Sequence, residues 1–479
     1  MAPFYTAFEW LGRAEHELLL FAAIWFAVGS LDELGVDLLW FWLRVTGRVR
    51  TGKAPADCDA PLRGVAVVLV PAWQEATVVG AMLRHTLKVW PHPQLRVYAG
   101  CYRNDPATLA AMVAVAGDPR LRIVVHDCAG PTTKADCLNR LYAALMEDEK
   151  RGGFRARSVI LHDAEDMVHP SALALLDRGL DYADFVQLPV RPEPQAGSRW
   201  IAGHYCDEFA ESHGKAMVVR DWLGVGLPSA GVGCAFSRAS VEAIAARRGT
   251  AEPFAAECLT EDYECGLLVG QIGGAAKFLR MRDAEGQLVA TREFFPAGLG
   301  SSVRQKTRWM HGIAFQGWDR LGWEAHPLEL WMRLRDRRAP LTAIVLAAAY
   351  MLLIISPVLL IAAQFGAYHP RPVDPLLKVL LVANFAGLAW RCLLRAVFTT
   401  HEYSLAEGIM AVLRMPLANV IAIMAGRRAL SAYIASLRSG RVKWDHTVHV
   451  SHPALAPMSV SVPVSSPAPS FACPLGSGR

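Results

Sequence analysis

Two acidic clusters and one basic–aromatic cluster carry the side chains best suited to chemistry. The first, HDAED at 162–166, follows the apolar run 158–161. Carboxylates at the carboxyl end of a buried strand can together hold a hard divalent cation against a diphosphate. A solvated turn explains two acids one residue apart equally well. The second, LTEDYECG at 259–266, opens a helical pattern. A carboxylate there can take a proton from an acceptor hydroxyl. It can equally favour the positive end of the helix dipole behind an N-capping Thr260. The third, QKTRW at 305–309, precedes a long apolar segment. Indole rings stack on sugars and Arg pairs with phosphate in two-pronged fashion, whereas an interfacial helix would also set Trp at headgroup depth.

Three further segments suit a nucleotide. VPAWQE (70–75) ends one apolar run, YRNDP (102–106) follows another, and GPTTKADCLN (130–139) follows a third and opens a helix. Lys134 can approach a phosphate at that helix start. Each segment alone is an ordinary βα loop.

These segments need elements to hold them. Runs at 64–71, 95–100, 121–126, 158–163 and 184–189 read as buried strands, with helical stretches between. Such alternation gives βαβ units and a mostly parallel sheet, whose ligands bind beyond the carboxyl ends of the strands. Every segment named above sits at or just after such an end.

The chain is 53% hydrophobic and 19% charged over 479 residues, too apolar for an ordinary soluble enzyme and too charged to lie wholly in a membrane. Its net charge of +5 is modest, and its Arg and Lys gather beside apolar segments, which suits a membrane face and excludes a nucleic-acid partner. The ten cysteines show no metal-ligand spacing and read as reduced packing residues.

Residues 18–43 are apolar but interrupted by Ser30, Asp32, Glu33 and Asp37, giving one span with acids inside it or a shallow hairpin. Arg44, Arg48, Arg50 and Lys53 then place the following domain in the cytoplasm. Residues 339–365 carry no charge and predict a transmembrane helix; 376–398 predict a second. Residues 405–426 contain Glu407, Arg414 and Pro416, which predicts a shallow interfacial or re-entrant helix. The expected layout is a membrane segment at 1–50, a cytoplasmic α/β domain at 60–325, membrane and interfacial helices at 339–450, and a disordered Ser/Pro/Ala-rich tail at 453–479.

Taken in order, VPAWQE, YRNDP, KADCLN, DAED, SAGVGCAFSR (229–238), TEDYECG and QKTRW resemble the processive branch of family-2 glycosyltransferases. With GSLDELGVD (29–37), DEFAESHGK (207–215) and WDHTVH (444–449), the likeness narrows to the bacteriophage adsorption protein B (NfrB) family. It runs from about residue 9 to 450.

The resemblance implies a GT-A fold, a nucleotide-diphospho-sugar transferase domain with a mostly parallel sheet flanked by transmembrane helices. By the same likeness Pro71, Glu75, Asp105 and Lys134 serve the nucleotide, Asp105 on its uridine. Asp163 matches the first metal-associated carboxylate. Glu165 stands where relatives have the second Asp of D-x-D, leaving the role divided between Glu165 and Asp166. Asp262 matches the general base, and Glu261, Gln305, Arg308 and Trp309 lie on the acceptor and product side.

The implied cofactor is Mg²⁺ or Mn²⁺, and the implied activity is inverting, processive transfer from a UDP-hexosamine to an exopolysaccharide or surface glycan. The implied location is the bacterial inner membrane, with the catalytic domain cytoplasmic. Membrane lipid and an outer-membrane export partner or homo-oligomer are the expected partners. Two alternatives stand beside this reading: single addition to a polyprenyl-phosphate lipid, and a phage-receptor or assembly scaffold without catalysis. Two departures also stand out. His446 occupies a position where relatives usually have Lys, and no C-terminal module resembling a cyclic-di-GMP-binding domain follows, so regulation by that nucleotide within this polypeptide is not expected.

Overall fold

Val65–Pro71 reads VAVVLVP, an unbroken apolar run suited to a strand covered on both faces. Val67, Val68, Leu69 and Val70 are fully buried, each such side chain contributing about 1.5–3 kcal/mol relative to exposure. In the computed structural model, which describes residues 7–55, 57, 60–324, 326–439 and 451–455, this strand lies inside a seven-stranded sheet. The WDHTVH motif and all but the first three residues of the 453–479 segment lie outside the described residues.

The strands are β1 (Val65–Pro71), β2 (Leu95–Tyr102), β3 (Leu121–His126), β4 (Ala156–Leu161), β5 (Phe185–Gln187), β6 (Cys234–Ser237) and β7 (Ala276–Phe278), in spatial order β3-β2-β1-β4-β6-β5-β7. All neighbours pair in parallel except β6, which runs antiparallel to β4 and β5. Two short parallel pairs, Val190–Pro192 with Thr291–Glu293 and Gly52–Lys53 with Met281–Arg282, extend the domain at its edges. Five of the strands are those expected from the sequence.

The helices that matter to the site are α1 (Ala7–Val45), α2 (Lys134–Gly152), α3 (Ile201–Glu211), α4 (Glu261–Gln271), α5 (Leu299–Trp309), α6 (Pro327–Arg337), α7 (Ala339–Gln364), α8 (Pro375–Glu402) and α9 (Leu405–Ser439). Among the described residues α1, α7, α8 and α9 are long and apolar enough to cross a membrane. Leu353 and Ile354 on α7 are each 70% exposed, an arrangement costly in water that a lipid surround would relieve.

The first apolar stretch is one continuous 39-residue helix, not a hairpin. Its acids are matched: Asp37 accepts hydrogen bonds from Lys215 Nζ (2.5 Å) and Trp390 Nε1 (2.8 Å), and Asp32 from Trp331 Nε1 (2.6 Å). The last apolar segment is longer than 405–426: α9 runs unbroken for 35 residues. Arg414, which suggested an interface, is buried and bonds both oxygens of Asp207 on α3, at 2.8 and 2.7 Å, and Glu407 at 2.6 Å. A β-carbon on Gly203 would lie 2.6 Å from Arg414 Nη1, so Gly203 leaves room for this docking.

Candidate active site

The carboxyl ends of β1, β2 and β4 open onto a cavity of about 530 Å³. On one side stand Pro71, Trp73, Glu75 and Tyr102. Trp73 and Tyr102 meet edge to face, 5.3 Å between ring centroids. A β-carbon on Gly130 would come within 2.7 Å of both rings, so the GPTTK loop can pass only with glycine there. Lys134 follows at the first turn of α2, whose N-cap Thr133 accepts from Asp136 N–H at 3.2 Å. The helix start adds positive potential to the Lys134 ammonium.

Asp163 and Glu165 line the next part of the wall, and Lys134 Nζ lies 2.6 Å from Asp163 Oδ1. Asp166 is fully buried and does not line the cavity. Its Oδ2 accepts from the Asp163 backbone N–H at 3.0 Å and pairs with His162 Nδ1 at 2.6 Å. Burial lowers His162 to about 3, so the neutral ring donates to the carboxylate. Asp166 therefore aims the turn, while Asp163 and Glu165 face the space.

Asp262 faces the same space from the first turn of α4. Thr260 holds the N-cap position, yet its side chain makes no capping hydrogen bond. Glu261 is buried and does not line the cavity. Burial raises Asp262 from its ordinary value, against the pull of Lys134, and burial together with Asp262 raises Glu261 to about 7. Burial also opposes charge on Lys134, but Asp163, Glu261 and Asp262 outweigh it and hold the ammonium well above its ordinary range.

Gln305, Arg308 and Trp309, on α5, close the far side. Gln305 Oε1 is buried with no hydrogen-bond partner among the described residues. Trp309 sits among Tyr205, Phe295 and Phe209, at 6.1, 6.3 and 6.4 Å between centroids. Two π-helical turns, Ser212–Ala216 and Met310–Gln316, flank the cavity, and such turns frequently occur at functional sites. Beyond them the cavity reaches Val36 of α1 and Arg335 and Arg338.

Asp105 does not line the cavity. It caps the helix Pro106–Val113 through Thr108 N–H and accepts from Gln74 N–H at 2.6 Å. Gln74 has φ +57°, a conformation rarely tolerated outside glycine without such support. Asp105 thus fixes the loop that presents Trp73 and Glu75.

Asp163 and Glu165 supply hard oxygen donors on one wall. Among the described residues no three His, Cys, Asp or Glu side chains form a complete metal cage. That donor set fits Mg²⁺ or Mn²⁺ completed by substrate phosphate and water, the usual state of such ions.

Residues 63–312 match the family described as glycosyltransferase like family 2. The chain belongs to that family. With that membership, the mostly parallel sheet is a GT-A domain carrying apolar helices at both ends.

The chain is similar to bacteriophage adsorption protein B of Escherichia coli (strain K12) and to bacteriophage N4 adsorption protein B of Escherichia coli O157:H7. It is 32% identical to each over 468 residues, covering 92% of this chain and 62% of each relative. The chain thus spans about three fifths of the length of those curated relatives. Among solved structures, the mannosyltransferase PcManGT from Pyrobaculum calidifontis, in complex with GDP-Man and Mn²⁺, aligns with 86% of this chain and 99% of its own, at 15% identity and TM-score 0.49. S. aureus TarS 1–349 in complex with UDP-GlcNAc aligns with 80% of this chain and 95% of its own, at 12% identity and TM-score 0.34.

Sequence reasoning gave no role to Gln187, which lines the cavity fully buried. Its Oε1 accepts from Ala230 N–H at 2.9 Å and its Nε2 donates to Val232 O at 2.9 Å, fixing the SAGVG loop beside Asp262. A lone amide in an apolar strand was the only signal. Glu208 was also passed over; it lines the cavity and holds Lys306 Nζ at 2.5 Å.

Proposed function

We propose that the chain is a membrane-bound inverting glycosyltransferase, with its GT-A domain on the cytoplasmic side, that extends a glycan from a nucleotide-diphosphate sugar. One observation carries this reading: Lys134, Asp163, Glu165, Asp262, Arg308 and Trp309, drawn from distant parts of the chain, line one cavity. Trp73 and Tyr102 offer aromatic surface for a nucleobase. Lys134 and Arg308 bind phosphate oxygens as fixed cations. Asp163 and Glu165 would hold Mg²⁺ or Mn²⁺, which would supply further charge neutralisation on the departing diphosphate.

Asp262 accepts the proton of the acceptor hydroxyl as the hydroxyl oxygen bonds to the anomeric carbon. The bond from that carbon to the diphosphate breaks on the opposite face, inverting the linkage. Trp309 and its aromatic neighbours form a platform for the acceptor sugar. Extension of the cavity toward α1 supports a product path leading into the membrane helices, hence repeated addition. The four such helices among the described residues are few for a pore, so a second copy or an export partner completes it.

The donor is proposed to be a UDP-hexosamine. The test incubates membranes carrying the protein with a panel of UDP- and GDP-sugars plus Mn²⁺ and measures nucleoside diphosphate release and product length. Release from one donor, with chains longer than one added sugar, is expected. Turnover of no donor sinks the enzymatic reading; a product stopping at one sugar sinks processivity.

A further inference from the structure

Arg308 is a wall between two cavities. On its other side opens a second one, of about 420 Å³, lined by Arg304, Thr307, Arg308 and His311 together with Arg427 and Arg428 of α9. No carboxylate lines it among the described residues. Arg304 and Arg427 bring guanidinium groups to it from two different helices, a setting that favours a bound anion. Guanidinium groups match phosphate oxygens in particular, through paired N–H donors.

His311 gives independent evidence for a ligand. Its side chain lines this cavity at 4% exposure, and Nε2 has no hydrogen-bond partner among the described residues. Burying such a nitrogen unsatisfied is costly, and a phosphate oxygen would satisfy it.

The position of the cavity names the source of the anion. Ala429 of α9 packs with Met310, Ala314 and Ala339. A β-carbon on Gly426 would stand 2.5 Å from Ala343 Cβ. Ala339 and Ala343 form the first turns of α7, where its charge-free run begins. The cavity therefore lies at the level where apolar helix gives way to charged surface, the depth of lipid headgroups.

We propose that this cavity binds the phosphate of an anionic membrane lipid, with the acyl chains running along the apolar surface beside α9. The inference is independent of the donor and acceptor assigned to the neighbouring site.

The full chain, purified in a neutral detergent, is titrated with phosphatidic acid, phosphatidylcholine and inorganic diphosphate. A photoactivatable phosphatidic acid is then cross-linked and its attachment mapped. We expect preference for phosphatidic acid and cross-links within residues 304–311 or 427–432. The R304Q/R427Q variant should bind about fivefold more weakly per Arg removed, and R304K/R427K should keep most of the affinity. Equal binding of phosphatidylcholine, or cross-links mapping elsewhere, overturns the proposal. Diphosphate binding as tightly as the lipid, with the same Arg dependence, assigns the cavity to a soluble anion and overturns it too. The cross-linking arm uses the unaltered protein, so it decides the matter even if the glutamine variant misfolds.

Discussion

A β-carbon on Gly231 would stand 2.2 Å from Asp262 Oδ2, in a backbone conformation of φ +76°. Loop and carboxylate are therefore fitted to each other: the SAGVG turn leaves space only for hydrogen, and Asp262 occupies what is left. Gly231→Ala should lower turnover about as much as altering the carboxylate itself, because the new methyl displaces Asp262 and the left-handed backbone adds about 1–2 kcal/mol of strain. Nucleoside diphosphate release by equal amounts of folded protein is the measurement. Normal turnover in this variant would show that the loop yields without moving the acid.

Asp262→Asn tests the base directly. The amide keeps shape and size but cannot take a proton, so a loss of about 10²-fold or more in kcat is expected, with little change in donor binding. Turnover close to the parent would remove Asp262 from the mechanism.

The pH profile follows from the same group. Asp262 works ionised, so the rate falls as pH drops through its pKa. Burial raises that pKa, so the loss begins at higher pH than for an exposed Asp near about 3.9. Lys134 pulls the other way, and Lys134→Met should move the acidic limb higher still. A limb at the exposed value would contradict this electrostatic picture.

Chelation supplies a further check. Removing divalent ions should abolish nucleoside diphosphate release, and added Mg²⁺ or Mn²⁺ should restore it without changing the melting temperature. Glu165→Gln should raise the ion concentration needed for half-maximal rate. Full activity after exhaustive chelation would rule out the ion.

The junction between α3 and α9 makes a stability prediction. Asp207→Leu leaves Arg414 buried beside Glu407 alone, and breaking such a pair costs about 3–5 kcal/mol. The double variant D207L/R414L should recover part of the loss in melting temperature. Equal melting of the single and double variants would mean the pair carries no coupling.

The strands and the acids at their ends were legible because a buried parallel strand is an unbroken apolar run that stops where the loop begins. Asp163 and Asp262 could be located this way. What hid was direction. Glu165 and Asp166 are neighbours in sequence, yet only Glu165 faces the cavity, since the turn carries no period from which to read an orientation. Asp105 is a nucleotide residue only by family likeness, and the positive φ of Gln74, which it supports, leaves no trace in composition. Arg414 read only as a charge inside an apolar segment, because its partner Asp207 lies 207 residues away. Long-range compensation of a charge is invisible to any local window.

That same separation has a consequence for biogenesis. Asp37 finds Lys215 after 178 further residues and Trp390 after 353. When α1 leaves the ribosome, neither partner exists, and its carboxylate must stay hydrated or protonated until they do. Helix α1 is thus among the last of these helices to settle, and a truncated product ending before Lys215 would carry an acid that nothing has yet answered.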